Sequence, residues 1–273
     1  MAKMNTLCGV AGPQMSEVGR SWRENLIANP EAYADTSLAE FNCFRESVWL
    51  KLLLQHTTLT PGSKVLEAGC GSGKFSVALA TLGCEVVAMD YSYEALERAK
   101  ALAQNVSSQF GELNISFIQG SIQEMGFDVG GYDLTMNEGV VEHWLKRDER
   151  LTVLREMVRV TRPGGTVAVF VPNGTHPLHS WWVRSCYPGY DAPDMTLYNA
   201  QRLREELAEA GCTDVITDGI GAWASLYQWP NWKVLRYGFG AIGRVIPLPK
   251  PIREKWGVSI AAFGKVPNIK ADE

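Results

Sequence analysis

The sequence lacks a C-x-x-C pair. Its six cysteines, Cys8, Cys43, Cys70, Cys84, Cys186 and Cys212, are scattered, so neither a zinc ribbon nor a disulfide framework is indicated. It also lacks any apolar run approaching the ~18 residues that a membrane-crossing helix needs. No secretory signal is readable near the start, where Lys3 has no continuous apolar stretch behind it. Basic charge is not in surplus. A net charge of −4 over 273 residues gives no positive footprint for nucleic acid, so no nucleic-acid partner is expected. With 46% hydrophobic and 21% charged residues, the composition is that of a globular chain, expected in a reduced, cytoplasmic compartment. Its length favours one core with sizeable additions.

From 37 to 56, apolar residues recur at helical spacing, with Thr36 or Ser37 as cap. Residues 1–60 are therefore expected to form an N-terminal helical segment. Pro61-Gly62 breaks the chain, and an alternation begins. Strands are expected at 64–68, 85–89, 115–118, 132–136 and 166–171, with helices at 74–82, 93–109 and 151–160 between them. A helix at 200–210, a short strand at 214–217 and a last strand at 258–263 follow. Strands alternating with helices predict an α/β fold: a doubly wound, mostly parallel sheet with helices on both faces and an antiparallel last strand. Residues 61–273 would form this domain, interrupted by aromatic-rich insertions at about 173–198 and 221–257.

The chemistry concentrates at Glu67-x-Gly69-Cys70-Gly71-Ser72-Gly73, between the first strand and its helix. Glycines at that turn let backbone approach a ligand at the carboxyl end of the sheet. Asp90 ends the second strand, where a carboxylate accepts from ribose hydroxyls. Together they describe a site for an adenosine-bearing ligand. A dinucleotide fingerprint would place a small residue where Lys74 stands.

The pattern E-x-G-x-G-x-G instead resembles the first motif of class I S-adenosylmethionine-dependent methyltransferases. Thr161-Arg162-Pro163-Gly164-Gly165 resembles the L-K-P-G-G turn before the fifth strand of that family. The run from Asn137 to His143 resembles the E-V-L-E-H-V segment of ubiquinone- and menaquinone-pathway members. The likeness covers about 61–171 well and fails beyond Gly211. It implies a Rossmann-like methyltransferase fold, S-adenosylmethionine as cofactor, and methyl transfer by direct displacement to a small-molecule or lipid-like acceptor. Residue by residue, it implies Glu67, Gly69, Cys70 and Gly71 around the methionine moiety and Asp90 on the ribose. Tyr91 would lie against adenine, Ser121 and Ile122 at its edge, and Asn137 would offer a backbone carbonyl to the ammonium. Ser121 departs from the Asp common there. Where relatives bind a divalent metal, the first carboxylate falls here on Gly139, with Glu138 one place early, so no metal is expected.

His143, after the fourth strand, is the candidate base should the acceptor lose a proton. His176, His179, Trp182 and Tyr187 are expected on the acceptor. The 221–257 excursion carries six basic side chains against one acid, Glu254. It reads either as a lid over the sheet or as a membrane-surface contact. Two other functions fit the glycine turn: an NAD-dependent oxidoreductase, and a cofactor-binding module without catalysis. Oxygen, nitrogen, carbon and sulfur acceptors share this cofactor half, so the motifs do not choose among them, nor do they give an oligomeric state.

Overall fold

A computed structural model describes residues 36–177, 195–222 and 248–268. Seven strands form one sheet: β1 (Lys64–Ala68), β2 (Glu85–Asp90), β3 (Ile115–Gln119), β4 (Tyr132–Glu138), β5 (Thr161–Pro172), β6 (Thr213–Ile220) and β7 (Ser259–Lys265). Their order is β3-β2-β1-β4-β5-β7-β6. The first five pair in parallel, whereas β7 runs antiparallel to both β5 and β6. This is the expected doubly wound arrangement, with the last strand inserted between its predecessors. The order reverses at β1, so the carboxyl ends of β1, β2 and β4 open onto a crevice.

Period-two alternation divides the core. Val65, Leu134, Met136, Ala168, Phe170 and Phe263 face one side, among residues of the helices α3 (Lys74–Thr81) and α4 (Tyr93–Phe110). Leu66, Val167, Val169, Val171, Ile260 and Ala262 face the other, with α5 (Arg147–Val160) and α6 (Ala200–Glu209).

The helix expected from 37 to 56 is two helices, α1 (Leu38–Arg45) and α2 (Val48–Gln55). Ser47 causes the break: its hydroxyl accepts from Leu50 N at 3.3 Å, as Ser37 accepts from Glu40 N at the start of α1. Phe41, Leu50, Leu52 and Leu53 are buried in the same cluster as Phe75 and Phe170, so the described part of the N-terminal segment shares the sheet's core. A run of phenylalanines crosses it. Phe44 stands edge-on to Phe75 at 4.9 Å, Phe75 is 5.4 Å from Phe170, and Phe170 is edge-on to Phe263 at 5.8 Å. The excursion contains a helix that periodicity missed, α7 (Lys250–Trp256). It docks on β6, where Arg253 pairs with Asp218 at 2.6 Å and Thr217 donates to Glu254 at 2.8 Å.

Arg150, fully buried on α5, gathers the far side of the crevice. Its Nε and Nη2 donate to Glu206 of α6 at 3.1 and 2.8 Å. Its Nη1 donates to the carbonyls of Trp144 and Leu145 and to Thr196 Oγ1. Tyr198 donates to the same Glu206. One guanidinium thus fastens the turn after β4 to the chain that returns from the first insertion. Removing one partner of a buried pair leaves the other charge uncompensated. Arg150→Ala should therefore cost about 3–5 kcal/mol in urea unfolding, and a loss below 1 kcal/mol would contradict this role.

Candidate cofactor and acceptor site

At the crevice a cavity of about 320 Å³ is lined from the ends of β1, β2, β3 and β4 in spatial order: Ser121 and Ile122 after β3, Asp90 and Tyr91 at β2, Glu67 and Gly69–Ser72 at β1, and Glu138, Gly139, Val140, His143 and Trp144 after β4. Nine expected cofactor and base residues, drawn from four separate segments, meet on this one surface. Lys74, Phe75, Met89, Ser92, Ala95, Arg98 and Gly120 complete its lining.

The glycine turn is held by acids. Gly73 caps α3 and has no side chain to offer the helix's first N–H groups. Glu67 replaces the missing cap, accepting from Ser76 N at 2.8 Å and from the Ser76 hydroxyl. Glu67 is 3% exposed, and burial pushes its carboxyl up to about 8. Asp90 accepts from Gly71 N through one oxygen and from Ser92 N through the other, both at 2.8 Å. That ties the turn after β1 to the turn after β2 and leaves lone pairs on each oxygen. Burial raises this carboxyl as well. Gly71 adopts φ +51°, and a Cβ built there meets no atom within 4 Å. It therefore presents bare backbone to open space. The Cys70 thiol is buried, and burial and the nearby carboxylates push it well above its usual range. It is a filler rather than a thiolate.

On the β2–β3 side, Tyr91 is half-buried, its carbonyl accepting from Gln119 Nε2 at 3.0 Å. Ser121 accepts from Gln123 N at 3.3 Å. Arg98 reaches the cavity from α4 at i+3 from Ala95, and its buried Nη1 meets no hydrogen-bond partner. Sequence reasoning missed it, although the Ser92 cap and helical spacing carry the signal.

The β4 side is acidic and apolar. Asn137 lies behind the lining, fully buried, with Nδ2 3.2 Å from the Met157 sulfur. Glu138 opens into the cavity beside it; the surrounding walls raise its carboxyl, and Lys74 acts in the opposite sense. Gly139 lets the strand turn into the short 3-10 segment Val141–His143. There Glu142, 2% exposed, has its carboxyl pushed up to about 8 by burial, and its Oε2 meets no partner. His143 is buried with Nε2 4.0 Å from Glu142 Oε1. Burial lowers it to about 4, against a hydrogen bond with the Gly139 backbone, so the ring is neutral at pH 7 and a weaker base than an exposed imidazole. Among the described residues no group of three His, Cys, Asp or Glu side chains is arranged to hold a metal. His176 lies outside the lining, buried and edge-on to Trp256 of α7 at 6.2 Å. His179, Trp182 and Tyr187 fall outside the described residues.

These shifts fix a pH dependence. Between about pH 5 and 8, Glu67 and Glu142 are protonated in the folded protein and ionised in the unfolded chain. The folded state then binds more protons, so stability falls as pH rises through that window. His143 works the other way, losing stability as pH drops from 6.5 toward 4. The melting temperature of the ligand-free protein should fall from pH 5.5 to 8, and Glu142→Gln should flatten the slope. Parallel profiles for the two proteins would contradict the burial argument.

A methyltransferase domain family matches residues 66–169, the region that builds the cavity. An uncharacterized methyltransferase of Synechocystis is 32% identical over 156 residues, covering 57% of this chain and 68% of that protein. A demethylmenaquinone methyltransferase of Paenarthrobacter aurescens is 26% identical over 189 residues, covering 61% and 69%. Several other relatives are matched over only about half their own length, and at least one is named for tRNA. Among solved structures, a Pyrococcus horikoshii protein superposes at TM-score 0.60 with 19% identity, covering 89% of this chain and 98% of that one; it supports the fold. The methyltransferase match overturns the nicotinamide alternative, and the cofactor is S-adenosylmethionine. The chain belongs to the class I S-adenosylmethionine-dependent methyltransferase superfamily.

Proposed function

We propose that this enzyme transfers methyl to a small-molecule or lipid-like acceptor, with Asp90 on the cofactor ribose and His143 taking the acceptor's proton where there is one to lose. The observation that carries this reading is the β4 wall, where Glu138, Val140, His143 and Trp144 face the cavity. An apolar surface with an exposed carboxylate repels a phosphodiester and accepts a neutral or cationic group. The chain's net charge of −4 argues in the same direction.

The cavity suits the cofactor on three counts. Gly71 presents bare backbone to open space. Asp90 keeps lone pairs for two hydroxyls after its backbone bonds are made. Asp90 and Glu138, with Glu67 ready to give up its proton as a cation arrives, favour a cationic ligand. When bound, S-adenosylmethionine supplies an electrophilic methyl group on a sulfonium. The chain's work is then alignment, which supplies ~7–11 kcal/mol in well-oriented reactions. The walls exclude water, and a neutral His143 gives a proton somewhere to go.

The acceptor-side insertions are a further part of this proposal. Within the described end of the second one, Arg253 is paired with Asp218 and Lys250 lies 3.7 Å from Glu254. Those pairings support a lid more than a membrane contact. No described helix is long and apolar enough to cross a membrane.

Asp90→Ala should weaken S-adenosylmethionine binding by about 1.5–3 kcal/mol in calorimetry, and unchanged affinity would refute the ribose assignment. Labelled methyl offered to a fractionated cell extract should enter a small-molecule or lipid fraction. His143→Ala should slow transfer to a proton-losing acceptor ~10²–10⁴-fold. Label in the RNA fraction would overturn the acceptor class. A protein that binds the cofactor and labels nothing would be a binding module without catalysis.

A further inference from the structure

Lys74 stands where a dinucleotide fingerprint has a small residue for close packing of the first helix. In this protein the close approach falls one position earlier. A Cβ on Gly73, at φ +75°, would lie 2.7 Å from the Ala99 Cβ of α4, so glycine there lets α3 and α4 meet. The next position is released from packing, and Lys74 lines the cavity.

Its amine forms an ion pair with Glu40 of α1, both side chains being about one-third exposed. Its charge also reaches Glu138. The lysine thus lies on the β1–β4 side of the cavity. Arg98, the other Lys or Arg of the lining, reaches in from α4 with Ser92 and Ala95 on the β2 side. If Asp90 holds the ribose, the amino-acid arm of the ligand extends toward β4. That arm ends in a carboxylate as well as an ammonium. The wall it meets carries Glu138, which suits the ammonium and opposes the carboxylate. Lys74 is the cation on that side able to receive it.

We propose that Lys74 binds the α-carboxylate of the cofactor's amino-acid arm in competition with Glu40, its ion-pair partner. Ligand binding would exchange one carboxylate for another on the same amine and release α1 from its pairing with α3. The inference rests on the cofactor reading above and deepens it.

Calorimetry with two ligands isolates the carboxylate: S-adenosylhomocysteine carries the amino-acid arm, and 5′-methylthioadenosine lacks it. Lys74→Met should weaken S-adenosylhomocysteine about tenfold or more, the scale of a lost charge-assisted hydrogen bond, and change 5′-methylthioadenosine less than about twofold. Retained 5′-methylthioadenosine binding also shows that the variant folds. Glu40→Gln should tighten S-adenosylhomocysteine about threefold, by removing the competitor, and leave 5′-methylthioadenosine unchanged. Lys74→Met acting on both ligands alike, or on neither, overturns the inference, as does Glu40→Gln that fails to tighten S-adenosylhomocysteine. A wild-type protein that binds neither ligand overturns the cofactor reading itself.

Discussion

Carboxylates kept from water at the carboxyl edge of the sheet are the constraint on which the site depends. Glu67 and Glu142 are almost fully buried, Asp90 half-buried, and Glu138 opens into the cavity. Taking an ionised carboxylate out of water costs several kcal/mol unless bonds or a proton offset it. Each acid answers that cost differently, and each answer fixes a piece of geometry. Glu67 bonds Ser76 and so starts α3; Asp90 bonds Gly71 and Ser92 and so locks two turns together. Glu142 keeps a proton and sits behind His143. On the proposed reading, a cavity lined by such acids suits a cation, and a sulfonium with an ammonium is one.

Much of this was legible in the sequence because it is local. Alternation with period two, a cap such as Ser92, and glycines after a strand are all written within a few residues. They placed Glu67, Gly71, Asp90, Ser121 and His143 at successive strand ends, and the sheet order brings those ends together. What escaped depends on partners distant in the chain. Hydrophobic spacing runs through Ser47, yet its hydroxyl caps a new helix. Glu67 reads as a ligand-side acid and lines the cavity, and the missing cap at Gly73 also engages it with Ser76. Lys74 looked only like a misfit until Gly73 and Ala99 showed where the close contact lies. Helix α7 was hidden because its stabilising pair, Arg253 with Asp218, joins residues 35 apart.

The two halves of the site differ in how the fold supports them. The half proposed for the cofactor rests on strand ends and their turns. The β4 half rests on Arg150, whose bonds to Trp144, Leu145, Thr196 and Glu206 couple the His143 turn to the chain leaving the first insertion.

Proton exchange on cofactor binding tests the central claim most directly. At pH 7 a carboxyl held near 8 carries its proton, and an arriving cation lowers that value and expels it. Calorimetry of S-adenosylmethionine binding in buffers of different ionisation enthalpy should therefore register proton release, and Glu67→Gln should release fewer protons than the wild type. Binding with no proton release, or equal release from both proteins, would contradict a receptor built on protonated buried acids.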